Sequence, residues 1–419
     1  MLLDRLDLPP TVGCAQTQSS FDIYRQDWVE HGPRVRTVFD AADQNENSCI
    51  VNAHAAAVHM AQESAAGFKA ARKYLVRARA AVRDANETER AFGAAIYDWW
   101  RGKPRECLLA LREMVVQTPR DLVTAKWAQY HAFNLGDSAL MLDVSRVALA
   151  ACPDVPETWG LHAFALEASG DIDGAEAAAS CALAEKASEV WAQHAMAHVF
   201  ASRSDFAGGA RFLRSKANDW RNRSVFIQQH NYWHLALFYL ELGKIQKALD
   251  IFDRELWGRS ADVAQEQIGA ISFLWRLDLM GVDVGDRWLE VSQKVVERWH
   301  EHILPFHDIH YFYALMRSGR RPESDAFLAS LERKGLEDVT GVWDSLVLPC
   351  VRGLSDFVER RYSPAARALG PLMDRLHFVG GSAVQRQVIH ETLAIARLRA
   401  QGACASKLAS NLFEAADLR

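Results

Sequence analysis

His194 and His198 stand four residues apart, and so do His230 and His234. On a helix that spacing puts both rings of a pair on one face, and two imidazoles so placed can grip one metal ion. The second pair follows the first by 36 residues. Asp308 and His310, further along, would supply a carboxylate and one more imidazole, completing a site for zinc or iron. Without a metal the same groups could act as general bases or orient a substrate, because histidine titrates near neutral pH.

Other residues suit a ligand. Arg276 and Arg386, with Gln385 beside the latter, are polar positions in or next to apolar helix patterns. Facing a groove, the two arginines would hold a carboxylate or phosphate through paired hydrogen bonds. Packed between helices, they would form ion pairs with Asp278, Asp308 or Glu391. Gly380-Gly381-Ser382 reads either as an anion-binding helix N-terminus or as a serine-capped helix start. It lacks the P-loop pattern. Trp233 and Tyr130 are the aromatic residues expected to face a groove, and the remaining tryptophans are expected to pack between hairpins.

The histidines also admit a packing reading. With the fourth repeat's turn taken at Ser202, His162 and His194 both stand eight residues before a turn, and His234 and His310 both stand nine before theirs. Such regular placement suits histidines hydrogen-bonded to a neighbouring helix. The two pairs also differ in register, so they need not point at one centre. Against this, four imidazoles with an aspartate are costly to bury for packing alone.

Repeating helices must position these residues. Gly102, Gly136 and Gly170 fall 34 residues apart, each between two helical stretches. That is the tetratricopeptide period, a helix–turn–helix unit that must stack on its neighbours to bury its apolar face. Thr88–Arg101 and Pro104–Gln117 form the first clear hairpin, with proline where a missing N–H is harmless. Gly243, Gly281 and Gly319 continue at intervals of 38 residues, so the repeats lengthen after about residue 220. Residues 1–87 are expected to form an irregular helical cap, with a hairpin broken near Gly67. Residues 88–419 form the array, closed by hairpins at 343–359 with 364–376 and at 383–400 with 404–416. The predicted fold is all-α, a right-handed superhelical solenoid of tetratricopeptide-like hairpins.

Composition narrows the function. A net charge of −5 gives no basic footprint for nucleic acid. No apolar run approaches the roughly 18 residues of a membrane span, and the first residues lack a signal-peptide core. Seven scattered cysteines without a CxxC pair read as reduced, buried thiols of a cytoplasmic protein. No GxSxG elbow occurs.

At His230-Asn231-Tyr232-Trp233-His234, with Trp191-x-x-His194-x-x-x-His198 upstream, the chain resembles the tetratricopeptide repeat protein 38 family. The resemblance continues through Leu274-Trp275-Arg276-Leu277 and Gly281-Val282-x-Val284-Gly285-x-Arg287-Trp288. It resumes at His302-Ile303-Leu304, Asp308-x-His310 and Gly380-Gly381-Ser382-x-x-Gln385-Arg386, covering about Thr88 to Leu393. His307 departs from the family pattern, which tends to have Asn there. The resemblance implies an intracellular helical-repeat protein and carries no catalytic activity with it.

Two functions follow as expectations. The first is a binding scaffold whose concave groove holds a peptide, a protein segment or a small polar ligand. Its contacts would come from His194, His198, His230, Asn231, Trp233, His234, Arg276, Asp308, His310, Gln385 and Arg386. The second is a metal-dependent or histidine-based enzyme built on His194, His198, His230, His234, Asp308 and His310, with a divalent zinc or iron ion as its cofactor.

Overall fold

The computed structural model describes residues 15–402. Among them the regular structure is helical, with 21 α-helices and no strand. Cys14, Cys404 and the expected helix at 404–416 lie outside the described residues. The chain divides into two compact units, the first ending at Ile245 and the second beginning at Gln246.

The first unit opens with α1 (Ala15–Glu30), α2 (Thr37–Gln44), α3 (Cys49–Met60) and α4 (Ala65–Ala80). Its repeats pair α5 (Glu87–Trp100) with α6 (Pro104–Gln117), and α7 (Leu122–Asn134) with α8 (Ser138–Ala151). They continue with α9 (Pro156–Ala168) and α10 (Ile172–Glu185), then α11 (Val190–Ser202) and α12 (Phe206–Trp220), and end on α13 (Val225–Glu241). Gly102, Gly136 and Gly170 end the first helices of their hairpins in the left-handed region, with φ of 77°, 68° and 87°, the conformation that favours glycine at a helix C-terminus. Aspartates follow the later turns and cap the next helix. Asp137, Asp171 and Asp205 accept from the backbone N–H of Leu140, Gly174 and Gly208.

The next turn in this series is at Ser204, not Ser202. Ser204 takes the left-handed place with φ of 54°, and Asp205 then donates its N–H back to Phe200 O at 3.0 Å. The 34-residue period therefore survives one repeat further than its glycines. This moves His194 to ten residues before the turn, so it does not share a repeat position with His162. The expected break near Gly67 also moves. The chain turns at Glu63, whose φ is 52°, and Gly67 lies inside α4, where an added Cβ would come 2.2 Å from His59 O.

α1 lies against the first helices of the repeats. Lys126 of α7 donates to Trp28 O and Val29 O at 2.6 and 3.0 Å. Trp127 donates to Tyr24 Oη at 3.2 Å, and its indole stacks on Trp28 at 3.9 Å. Beyond α1, Ser224 at the start of α13 donates to His31 O at 2.7 Å. In the first unit, then, α1 packs against the first helix of a repeat through Lys126 and Trp127.

In the second unit, α14 (Ile245–Ile251) runs across the division and continues as a π turn at Phe252–Leu256. α15 (Ala264–Leu279), α16 (Arg287–Val296), α17 (Pro305–Arg317) and α18 (Arg321–Glu337) follow. A π turn at Trp343–Val347 leads into α19 (Leu348–Val358). α20 (Tyr362–Leu369) is prolonged by a 3-10 stretch to Val379, and α21 is Ala383–Ala400. Trp275 anchors this core by stacking on Tyr313 at 3.9 Å and donating to Thr392 Oγ1 at 3.1 Å.

Candidate metal centre

α11 and α13 pack together inside the first unit. α13 has buried residues around its whole circumference, so even its polar side chains face protein. Two of these are His230 and His234, which meet His194 and His198 of α11. The Nε2 of His194 lies 3.1 Å from that of His198 and 3.0 Å from that of His230. The ring of His234 stands 4.7 Å from that of His198 and 4.9 Å from that of His230. One ligand atom from each histidine falls within 4.8 Å of all the others. The difference in register does not separate the pairs. It brings them to one centre.

The centre is buried and aromatic. His194, His198 and His234 are 0–1% exposed and His230 is 9% exposed. Trp191 stacks on His194 at 4.4 Å, Trp233 on His230 at 5.4 Å, and Phe164 stands against His194 and His198. His31, carried past the end of α1 with φ of 55°, stacks on Trp191 at 4.7 Å. Burial pushes His230 down to about 3 and holds His194 well below the usual imidazole range, with its neighbouring histidines adding to the effect. These imidazoles are therefore neutral at pH 7, the state in which they bind metals.

A carboxylate flanks the group. Glu167 of α9, 6% exposed, places Oε1 3.1 Å from His198 Nδ1. The two atoms are close without an aligned hydrogen bond between them; with the proton on Nδ1, the nitrogen nearest the carboxylate, His198 would turn an Nε2 lone pair toward His194. Two facing lone pairs 3.1 Å apart repel unless a proton or cation lies between them. A proton on His194 Nε2 would have to be shared between two contacts; in either tautomer its Nδ1 is buried without a hydrogen bond. A metal ion satisfies the facing lone pairs together. With metal–nitrogen bonds of about 2.0–2.1 Å a tetrahedral site has N···N edges of about 3.3 Å, close to the two short spacings.

The other expected site residues have different duties. Trp233 is 1% exposed, so it is wall and not groove surface. Tyr130 donates to Glu63 Oε1 at 2.9 Å. Asn231 is fully buried. Asp308 and His310 belong to the second unit. Asp308 Oδ2 accepts from Trp343 Nε1 at 2.7 Å and lies 3.0 Å from His302 Nδ1. His310 donates from Nδ1 to Phe306 O at 2.8 Å, and burial pushes it down to about 3. Arg276 donates to Ser272 and to Val384 O at 2.6–2.9 Å, joining α15 to α21. Gln385 and Ser382 form a reciprocal capping box at the start of α21, and Arg386 donates to Gly381 O. The Gly380-Gly381-Ser382 segment is thus a capped helix start. The thiols of Cys49, Cys107, Cys152 and Cys350 are buried, while Cys181 is exposed, against expectation.

Glu167 and His31 were not singled out by the sequence. An acidic residue inside an apolar helix is the signal for Glu167, and Lys126 within equally apolar α7 is the signal that a backbone end lies against it.

The fold and the site together define an all-α protein of stacked helical hairpins with four converging histidines in its first unit. No family model matches the chain. Among solved structures it is similar to the P58(IPK) TPR domain, with 14% identity over 93% of this chain and 99% of that one, at a TM-score of 0.22. The helical hairpins themselves define the fold. Among the described residues no helix is long and apolar enough to cross a membrane.

Proposed function

We propose that this is a metal-binding helical-repeat protein whose first unit holds one divalent transition-metal ion, zinc or iron, on His194, His198, His230 and His234. The observation that carries this reading is the meeting of three Nε2 atoms at 3.0 and 3.1 Å in a buried site. Glu167 stands 3.1 Å from the Nδ1 of one ligand, and burial lowers His194 and His230 so that both are neutral at pH 7. The strings that carry the family resemblance, WxxHxxxH and HNYWH, are the ones that supply all four ligands. Four nitrogens complete a tetrahedral zinc ion, whereas iron would keep further positions open for a substrate. Asn231 supports a polar occupant nearby: neither of its buried amide atoms has a hydrogen bond among the described residues, at a cost of roughly 1–3 kcal/mol for each unpaired group.

The test is the metal content of the untagged full chain, by mass spectrometry, beside a His230→Ala/His234→Ala variant. The expected result is about one equivalent of metal in the native protein and background in the variant, with helical circular dichroism retained. A native protein that keeps no metal after loading and dialysis overturns the reading and returns the chain to a repeat scaffold for a peptide or polar ligand. Equal metal in a folded variant would also overturn it.

A further inference from the structure

The second unit contains another cluster that the four histidines do not involve. His302 lies in the loop before α17 with φ of 46°, a left-handed conformation that costs a non-glycine residue roughly 1–2 kcal/mol. Strain of this kind gathers at functional positions. The ring is held at both nitrogens, with Nδ1 3.0 Å from Asp308 Oδ2 and Nε2 2.9 Å from Ser330 Oγ. Asp308 is 1% exposed, and the same Oδ2 accepts the Trp343 indole N–H at 2.7 Å. An oxygen that accepts from both rings is a carboxylate oxygen, so the His302 proton sits on Nδ1. The Nε2 lone pair then faces the Ser330 hydroxyl, which donates to it. Phe327 stands edge-on to the ring at 5.4 Å and limits its rotation.

Carboxylate, Nδ1–H, Nε2 and hydroxyl, in that order and at hydrogen-bond distance, are the parts of a nucleophilic triad. Such a triad is recognised by geometry and not by spacing in the sequence. His302 and Asp308 are buried while Ser330 is half-buried, so the oriented base is shielded and the nucleophile can be approached. Lys334 follows Ser330 by one turn of α18, on the same face. Its ammonium sits 4.6 Å from the ring centroid of Trp343, the residue whose indole N–H donates to Asp308.

We propose that Ser330, His302 and Asp308 form an acyl-transfer site for small carboxylic esters, independent of the metal reading. Ser330 Oγ attacks the ester carbonyl while His302 Nε2 takes its proton. The bond to the leaving oxygen breaks, and His302 gives that proton to the departing alcohol, leaving an acyl ester on Ser330. Water, deprotonated by His302, then attacks the acyl carbon, and the proton returns to Ser330 Oγ. The balance is ester plus water to carboxylic acid plus alcohol.

The experiment uses the full chain treated with an alkyl fluorophosphonate, with the adduct located by peptide mass spectrometry and p-nitrophenyl acetate turnover measured alongside. The expected result is an adduct on Ser330, absent in Ser330→Ala, and formed about 100-fold or more slowly in His302→Gln. Circular dichroism and thermal unfolding establish that each variant is folded. The absence of a Ser330 adduct in the folded native protein overturns the proposal without reference to any variant. So does an undiminished labelling rate in folded His302→Gln, which would make the contact structural only.

Discussion

The first unit turns two histidine-bearing helices toward each other, whereas the second sets the Nδ1 atoms of His302 and His310 separately against a carboxylate and a main-chain carbonyl. His234 and His310 make the contrast sharp, because both are fully buried and both stand nine residues before a left-handed glycine. His310 spends its Nδ1 proton on the carbonyl one turn back. His234 faces the rings of His194, His198 and His230. A shared repeat position therefore fixes burial but not duty. Duty depends on what the neighbouring helix presents, and α11 presents two more imidazoles where the second unit presents main-chain carbonyls and a carboxylate.

The largest effect that can break this comparison is the response to pH. A histidine kept neutral by burial has a folded pKa below its unfolded value of about 6.5. Its stabilising share is full above pH 6.5 and is lost as pH falls toward the folded value, near 3 for His131, His230 and His310. Each costs on the order of 1–2 kcal/mol by pH 5. Glu189, pushed up to about 7 by burial, works in the opposite direction and offsets about one of them. Urea unfolding of chelator-treated protein is expected to lose several kcal/mol between pH 7 and pH 5. Unchanged stability would mean that these rings are not buried neutral in either unit.

A smaller effect sharpens the contrast. Glu167→Gln keeps the size of the side chain but removes the charge facing His198, and is expected to weaken metal binding about 10–100-fold. Asp308→Asn, the matching change at the carboxylate of the second unit, is expected to leave metal affinity unchanged. Competition with a chromogenic chelator measures both. Equal losses would erase the distinction drawn between the two units.

Much of the fold was legible because the turns obey a local rule. Glycine at a helix C-terminus repeats every 34 residues, with an aspartate cap after Gly136 and Gly170, and Pro104–Gln117 forms as read. The misread turn has a clear cause: Ser204 does a glycine's work, so a search for glycines lost the register there. The histidine pairs were legible as pairs, since four-residue spacing fixes a shared face. Their convergence was not, because it depends on how α13 packs against α11. The packing of α1 against α7 was hidden for the same reason. Lys126 reaches back across 97 and 98 residues to the carbonyls of Val29 and Trp28. Arg276 looked like a ligand anchor because a buried guanidinium and a ligand-binding one have the same sequence signature, and only the partners on Ser272 and Val384 separate them.

X-ray absorption at the metal edge of the full chain, loaded with one equivalent of zinc, tests the central claim most directly. The account predicts a first shell of four nitrogens at about 2.0 Å with the outer-shell scattering of imidazole rings. A shell of oxygens alone, or a thiolate sulfur near about 2.3 Å, would contradict it.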